Sequence, residues 1–326
     1  MSAQPYEFYL GKLVNDTDVP TEPTGASGYF SAPSTSLDPR LFDGTKMLPD
    51  VRRWVLDTLY DFWAKRYNQP HAWSTVWAAG SGISYQWDAD RGNGDLDILI
   101  GVDFSRFFQC NPRFLGVSED EMATIFNLQL HDELWPITAN WNGFEVTFYV
   151  NPGATDIRAI HPYAAYNISH DTWTVHPPKL PQEPRTLYPQ IYWDAADSDK
   201  KQVSELLSHY EHLRDQLARE SPGSPRWTNA ISSQRVLLEQ ASHLFDAIHL
   251  GRRNAFGPGG SGYGDFYNFR WQAAKASGVV DTLRTLRGIR DEARNKAQTS
   301  LYGGKLEGAD TLLTRAALWN AGGVHG

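Results

Sequence analysis

The stretch from Gly80 to Phe104, GSGISYQWDADRGNGDLDILIGVDF, sets Asp95 and Asp97 two residues apart at the start of a strongly apolar run. Like charges that close repel, and each costs free energy to strip of water. A cation between them removes both penalties. Mg²⁺ takes hard oxygen ligands, keeps several waters and shares its remaining positions with substrate phosphates. Two such ions ~4 Å apart clamp the attacking and leaving oxygens of a phosphoryl displacement. A third carboxylate on a neighbouring strand would complete that arrangement, and Glu145 in GFEVTFYV is the candidate. Upstream, Gly80-Ser81-Gly82 is a turn whose backbone N–H groups and hydroxyl suit phosphate oxygens. Asp88 and Asp90, in the loop between, are alternative metal ligands. A calcium loop counted from Asp88 fails, because its sixth position is Asn93 where glycine is needed.

These residues need elements to hold them. STVWAAG, residues 74–80, predicts a strand that feeds the Gly-Ser turn. DLDILIGVDF predicts a second strand, with Leu96, Ile98, Ile100 and Val102 on the core face and Asp95 and Asp97 on the other. PDVRRWVLDTLYDFWAKRY precedes them as an amphipathic helix, with Val51, Val55, Leu59 and Phe62 at helical spacing. After them, Ser118 and Glu121 stand in capping-box spacing at the head of another helix. Asn142-Gly143 between two alternating runs predicts a β-hairpin. Its second arm turns Phe144, Val146, Phe148 and Val150 one way, and Glu145, Thr147 and Tyr149 the other. Taken alone, Asp-x-Asp is also the polar face of an ordinary edge strand, and Glu145 an ordinary hairpin surface residue. The Gly-Ser turn and the aliphatic flank tilt the balance toward chemistry.

The rest of the chain divides by composition. Residues 1–48, rich in Pro, Ser, Thr, Gly and Asp beyond residue 11, predict an extended N-terminal arm; 49–194 predict the sheet domain; 195–326 predict a helical domain. In the last, Ser198 caps a helix carrying Val203, Leu206, Leu207, Tyr210, Leu213 and Leu217, and further helices are expected at about 225–250, 265–287 and 308–320. The 326 residues hold no apolar run long enough to span a membrane. A single cysteine, Cys110, excludes an internal disulfide, and the first residues lack the pattern of a signal peptide, so a cytosolic location is expected. Charge is uneven: 13 Lys and Arg face 24 Asp and Glu up to residue 194, against 17 and 14 beyond it. An acidic half suits metal ions, and a mildly basic one suits an anion.

A Gly-Ser turn after a helix and strand, an Asp-x-Asp strand flanked by aliphatics and an acid on a later strand resemble the DNA polymerase β-like nucleotidyltransferase superfamily over roughly residues 50–150. The resemblance implies a nucleotidyltransferase-type mixed α/β (α+β) sheet domain followed by an α-helical domain. It implies that Asp95 and Asp97 bind two Mg²⁺ ions, or Mn²⁺, and that Gly80 and Ser81 contact the triphosphate. Glu145 takes the third place, where the family more often has Asp. The implied reaction moves a nucleoside monophosphate, AMP first, from an NTP to an acceptor hydroxyl and releases pyrophosphate. A binding module of the same fold without catalysis is the alternative.

Other motifs carry less. GPGGSG, residues 257–262, matches G-x-G-x-x-G but follows a helix pattern, which points to an interhelical loop rather than a dinucleotide site. His209 and His212 have no cysteine pair beside them and read as surface residues. Neither a P-loop nor a G-x-S-x-G elbow is present. Of the 12 tryptophans, Trp54, Trp63 and Trp77 fall where the sheet domain packs. For the acceptor, Arg284, Arg287, Arg290 and Arg294 line one side of a helix, which tilts the expectation slightly toward RNA, tRNA above all, over a small molecule or a protein. The competing reading pairs that stripe with Asp281, Asp291 and Glu292.

Overall fold

The computed structural model describes residues 5–21, 29–87, 94–151, 155–257 and 259–303. They form two compact units. One combines 5–21 with 186–303, and the other spans 29–185.

The chain opens on α1 (Pro5–Asp16), which belongs to the helical unit. The sheet unit begins with a short antiparallel pair, β1 (Phe42–Asp43) and β2 (Lys46–Met47). Next come α2 (Pro49–Ala64), α3 (Pro70–Trp73), β3 (Ser74–Ala79) and β4 (Gly94–Val102). The chain continues through α4 (Phe104–Cys110), α5 (Glu119–Gln129), a π-helical turn (Leu130–Leu134) and α6 (Trp135–Thr138) into β5 (Phe144–Val150). The strands β6 (Ala165–Asn167) and β7 (Thr172–Val175) complete a five-stranded sheet of order β5-β4-β3-β6-β7. It is mixed: β4 runs antiparallel to β3 and parallel to β5.

Strand period decides the layers. Leu96, Ile98, Ile100 and Val102 of β4 are buried on one face, as are Val76 and Ala78 of β3 and all four of Phe144, Val146, Phe148 and Val150. The helices add an aromatic cluster. Trp63, Trp73, Phe107 and Phe126, one each from α2 to α5, are buried with ring centroids 4.9–5.7 Å apart. The expected helix from Pro49 and the Ser118–Glu121 capping box are both present.

The expected hairpin at Asn142-Gly143 needs correction. The turn exists, with both residues at positive φ, but its first arm is no strand. Ile137 and Thr138 finish α6, and only a bridge between Trp141 and Phe144 remains of the pairing. The reason lies in the edge of the sheet. β5 is outermost, and side chains from the preceding helices take up its free backbone groups. Asn127 of α5 accepts from Val150 N–H at 2.7 Å and donates to Val150 C=O at 2.9 Å. The Thr138 hydroxyl, buried, donates to Val146 C=O at 2.8 Å. These bonds cover part of the edge and leave fewer backbone groups for a second chain to pair with.

The helical unit comprises α1 with α7 (Gln190–Arg219), α8 (Pro225–Ala255), α9 (Phe266–Ala276) and α10 (Val279–Tyr302). Its core joins Leu10, Leu13 and Val14 to Tyr210, Ile231, Leu238, Leu283 and Leu286. Residues 5–16 are therefore a packed helix and not part of an extended arm. Their apolar side chains recur at a helical interval, and the Tyr210 hydroxyl donates to Val14 C=O. α7 starts eight residues before Ser198, because Tyr192 and Trp193 pack on Phe269 at 5.3 and 4.8 Å and extend the helix toward its N-terminus. The single helix expected over 265–287 is two, broken at Ser277-Gly278. The expectation of a helix at 308–320 lies outside the described residues. Among the described residues no helix is long and apolar enough to cross a membrane.

The Asn127 clamp yields a prediction. Asn127→Ala leaves one N–H and one C=O of Val150 without partners, and should lower unfolding free energy by about 2 kcal/mol. Urea denaturation of both proteins measures it. A loss below about 0.5 kcal/mol would show that the clamp contributes nothing net to the sheet edge.

Candidate functional site

β4 and β5 run in register, and this places the carboxylates. Asp95 is paired with Glu145, and Asp97 with Thr147; on the other side Asp97 is paired with Ala79 of β3. Paired residues on adjacent strands share a face at ~4.8 Å spacing. Asp95, Asp97, Glu145 and Thr147 therefore lie on one face, opposite the aliphatic core. Asp95 and Asp97 are exposed; Glu145 and Thr147 are half-buried. Further along the same face the surface turns apolar, with Trp77, Ala79 and Ala165 buried against Ile157 and partly covered Leu99 beside them.

Each acid on β5's side has a lateral partner. The Thr147 hydroxyl donates to Asp97 Oδ1 at 3.0 Å, and the Trp135 indole N–H donates to Glu145 Oε1 at 3.1 Å. Among the described residues no three His, Cys, Asp or Glu side chains converge on one point as a metal cluster would. The three acids share a face, but Glu145 is turned toward Trp135. Thr147 shares the parity of Glu145 and was legible as facing the same way. Trp135 had no signal in the sequence, since an exposed indole on a helical turn looks like any other surface aromatic.

The Gly-Ser turn sits directly against this face. Gly80 ends β3 at φ 88°, and a Cβ there would stand 3.2 Å from Asp97 Oδ2. At Gly82 a Cβ would lie 2.3 Å from the carbonyl oxygen of Asp95, so only glycine lets the turn close on β4. The backbone is less open to phosphate than the sequence suggests. Gly80 N–H is taken up by Ala164 C=O at 3.2 Å, which removes one donor from the turn. The exposed Ser81 side chain is the group the turn presents outward. Asp88 and Asp90 lie outside the described residues.

The arginine stripe of α10 is largely engaged. Arg287 pairs with Asp246 at 2.8 Å and lies over the Phe245 ring; Arg290 pairs with Glu239 at 3.0 Å and Asp291 at 2.7 Å; Arg284 approaches Asp281 at 3.8 Å. Burial of Arg290 lowers its pKa, but its bonds and charges to Asp291 and Glu239 outweigh that and raise it. His209 and His212 are exposed, as expected. No protein-family model, curated protein or solved structure matches the chain.

The close approach at Gly82 is directly testable. Gly82→Ala forces a methyl group into the Asp95 carbonyl, and should destabilise the fold by about 1–3 kcal/mol, the range for overpacking. Thermal and urea unfolding would show it. Unchanged stability would mean that the turn does not press on β4.

Proposed function

We propose that the chain is a metal-dependent nucleotidyltransferase, moving a nucleoside monophosphate, AMP first, from an NTP to an acceptor hydroxyl. The observation that supports this reading above others is the single exposed face on which Asp95, Asp97 and Glu145 stand in register, with the Gly80–Ser81 turn against Asp97. The donor set is oxygen throughout, which suits Mg²⁺ or Mn²⁺ and not a soft metal. Asp95 and Asp97 would hold two such ions, with Glu145 as third ligand; bound there, they would neutralise triphosphate charge and stabilise the transferring phosphoryl group.

The chain's own residues do the rest. Ser81 donates its hydroxyl to a phosphate oxygen. Thr147, bonded to Asp97 Oδ1, fixes that carboxylate and leaves Oδ2 toward Gly80. Glu145 takes the proton as the acceptor oxygen bonds to the α-phosphorus; the bond from that phosphorus to its bridging oxygen breaks, and pyrophosphate leaves. Rotation of Glu145 away from the Trp135 N–H precedes this step. The ion pairs of Arg287 and Arg290 weaken the case for RNA or tRNA as acceptor, while Arg284 and Arg294 stay exposed on α10; a small-molecule or protein hydroxyl is the alternative. A cytosolic location belongs to the same proposal, and a chain whose one cysteine can form no internal disulfide supports it. A non-catalytic nucleotide-binding module is the second reading, favoured by the tie between Glu145 and Trp135.

The deciding assay supplies α-labelled NTPs, Mg²⁺ and separate pools of tRNA, small hydroxyl compounds and proteins. Label should move to one pool and pyrophosphate should appear. Chelation of divalent ions, Asp95→Asn and Asp97→Asn should each reduce transfer to background, with circular dichroism unchanged. Wild-type turnover in either variant at saturating Mg²⁺ and NTP would remove the site assignment. Binding of NTP without pyrophosphate release would leave the binding module.

A further inference from the structure

Beside the carboxylates stands an aromatic surface that the transfer chemistry does not use. Trp135 is 36% exposed although its indole N–H is committed to Glu145. That N–H lies in the ring plane, so the indole meets the carboxylate edge-on, and the carboxylate covers neither face of the ring. Four residues earlier, the His131 ring lies only 7° from parallel to it, with centroids 5.9 Å apart. The imidazole is held in turn by Asp132, whose Oδ1 is 2.8 Å from His131 Nδ1. It is itself strongly exposed.

The helix is deformed at this point. A π-helical turn, closed by Trp135 N–H on Leu130 C=O, separates α5 from α6 and brings residues 131 and 135 onto one side. Such turns occur mostly as single insertions, frequently at functional sites. An amphipathic helix that only covered β5 would bury its tryptophan. Here the widened turn holds two flat rings nearly parallel at the outer edge of the strand that carries Glu145.

We infer that Trp135, stacked on His131, forms the ledge on which the nucleobase of the substrate stacks, an inference that rests on the nucleotidyltransferase reading. Every base has a π face, so a ledge of this kind accepts bases without hydrogen-bond readout. Its position fits the phosphate end: Trp135 touches Glu145, Glu145 is in register with Asp95, and the Gly80–Ser81 turn lies beyond Asp97 on the far side. A nucleotide laid along that line has its base on β5's outer side and its phosphates over β4. Trp135 thereby does two jobs, as a stacking surface and as the resting partner from which the Glu145 carboxylate must turn.

Calorimetric titration separates them. The full chain is titrated with ATP in Mg²⁺ and, in parallel, with inorganic tripolyphosphate in Mg²⁺, which has no base. Trp135→Ala should weaken ATP binding about tenfold or more and leave tripolyphosphate binding unchanged. Trp135→Phe, which keeps an aromatic face but loses the N–H and one of the two fused rings, should restore part of the ATP affinity lost in Trp135→Ala, and the loss of the N–H tie to Glu145 should appear in kcat. His131→Ala, at an exposed position, should weaken ATP severalfold without disturbing the fold. ATP affinity unchanged in both alanine variants, or an equal loss for ATP and tripolyphosphate, overturns the ledge and leaves the nucleotidyltransferase reading standing. A wild-type chain that binds neither compound overturns that reading and the ledge with it.

Discussion

The register of β4 is the constraint on which the rest depends. It is hydrogen-bonded on both sides, and alternate residues along it face opposite solvents: Leu96, Ile98, Ile100 and Val102 inward, Asp95 and Asp97 outward. A slip of one residue against either neighbour would exchange these sets, turning two carboxylates into the core and four aliphatics out to water. The cost of burying unpaired carboxylates makes that alternative inaccessible. The apolar half of the strand therefore enforces the position of the polar half. The acids need no favourable contact of their own to stay where they are.

From β4 the arrangement spreads to both sides by different means. Toward β3 the link is an antiparallel ladder followed by a turn so tight that a methyl group at Gly82 would overlap Asp95 C=O. Toward β5 the link is parallel, and parallel neighbours require a crossover. That crossover, α4 to α6, also furnishes Asn127 and Thr138 for the outer edge of β5 and Trp135 for Glu145. One connection thus fixes the strand from which the third acid projects and orients that acid's side chain. The same helices contribute Phe107 and Phe126 to the aromatic cluster, so the site face and the buried core share a support.

Much of the sheet unit was legible because its signals are local. The alternation in DLDILIGV, the capping box at Ser118 and the apolar spacing after Pro49 each lie within one element, and each element formed as read. The hairpin failed because a turn signal specifies the turn and not its partner. The run before Asn142 was read as a strand, yet Ile137 and Thr138 joined α6, from which Thr138 bonds Val146 C=O. The N-terminal helix was hidden for a related reason. Its apolar face is short, and its partners Tyr210 and Leu283 are about two hundred residues or more away in the chain. The π turn, the Trp135–Glu145 bond and the pairing of Arg287 with Asp246 are tertiary facts, and no window of sequence contains them.

The helical unit is assembled from both ends of the described chain, with the described residues of the sheet unit encoded between α1 and α7. Synthesis proceeds at roughly 5–20 residues per second. On a ribosome, α1 therefore emerges on the order of ten seconds or more before α8 and α10, against which Leu10, Leu13 and Val14 pack. During that interval its apolar side lacks α8 and α10, while residues 29–185 of the sheet unit are completed. The order of appearance makes the sheet the first folded body and leaves the opening helix waiting, exposed to chaperones and to other nascent chains. A circular permutation that moved residues 5–21 behind α10 would abolish the delay.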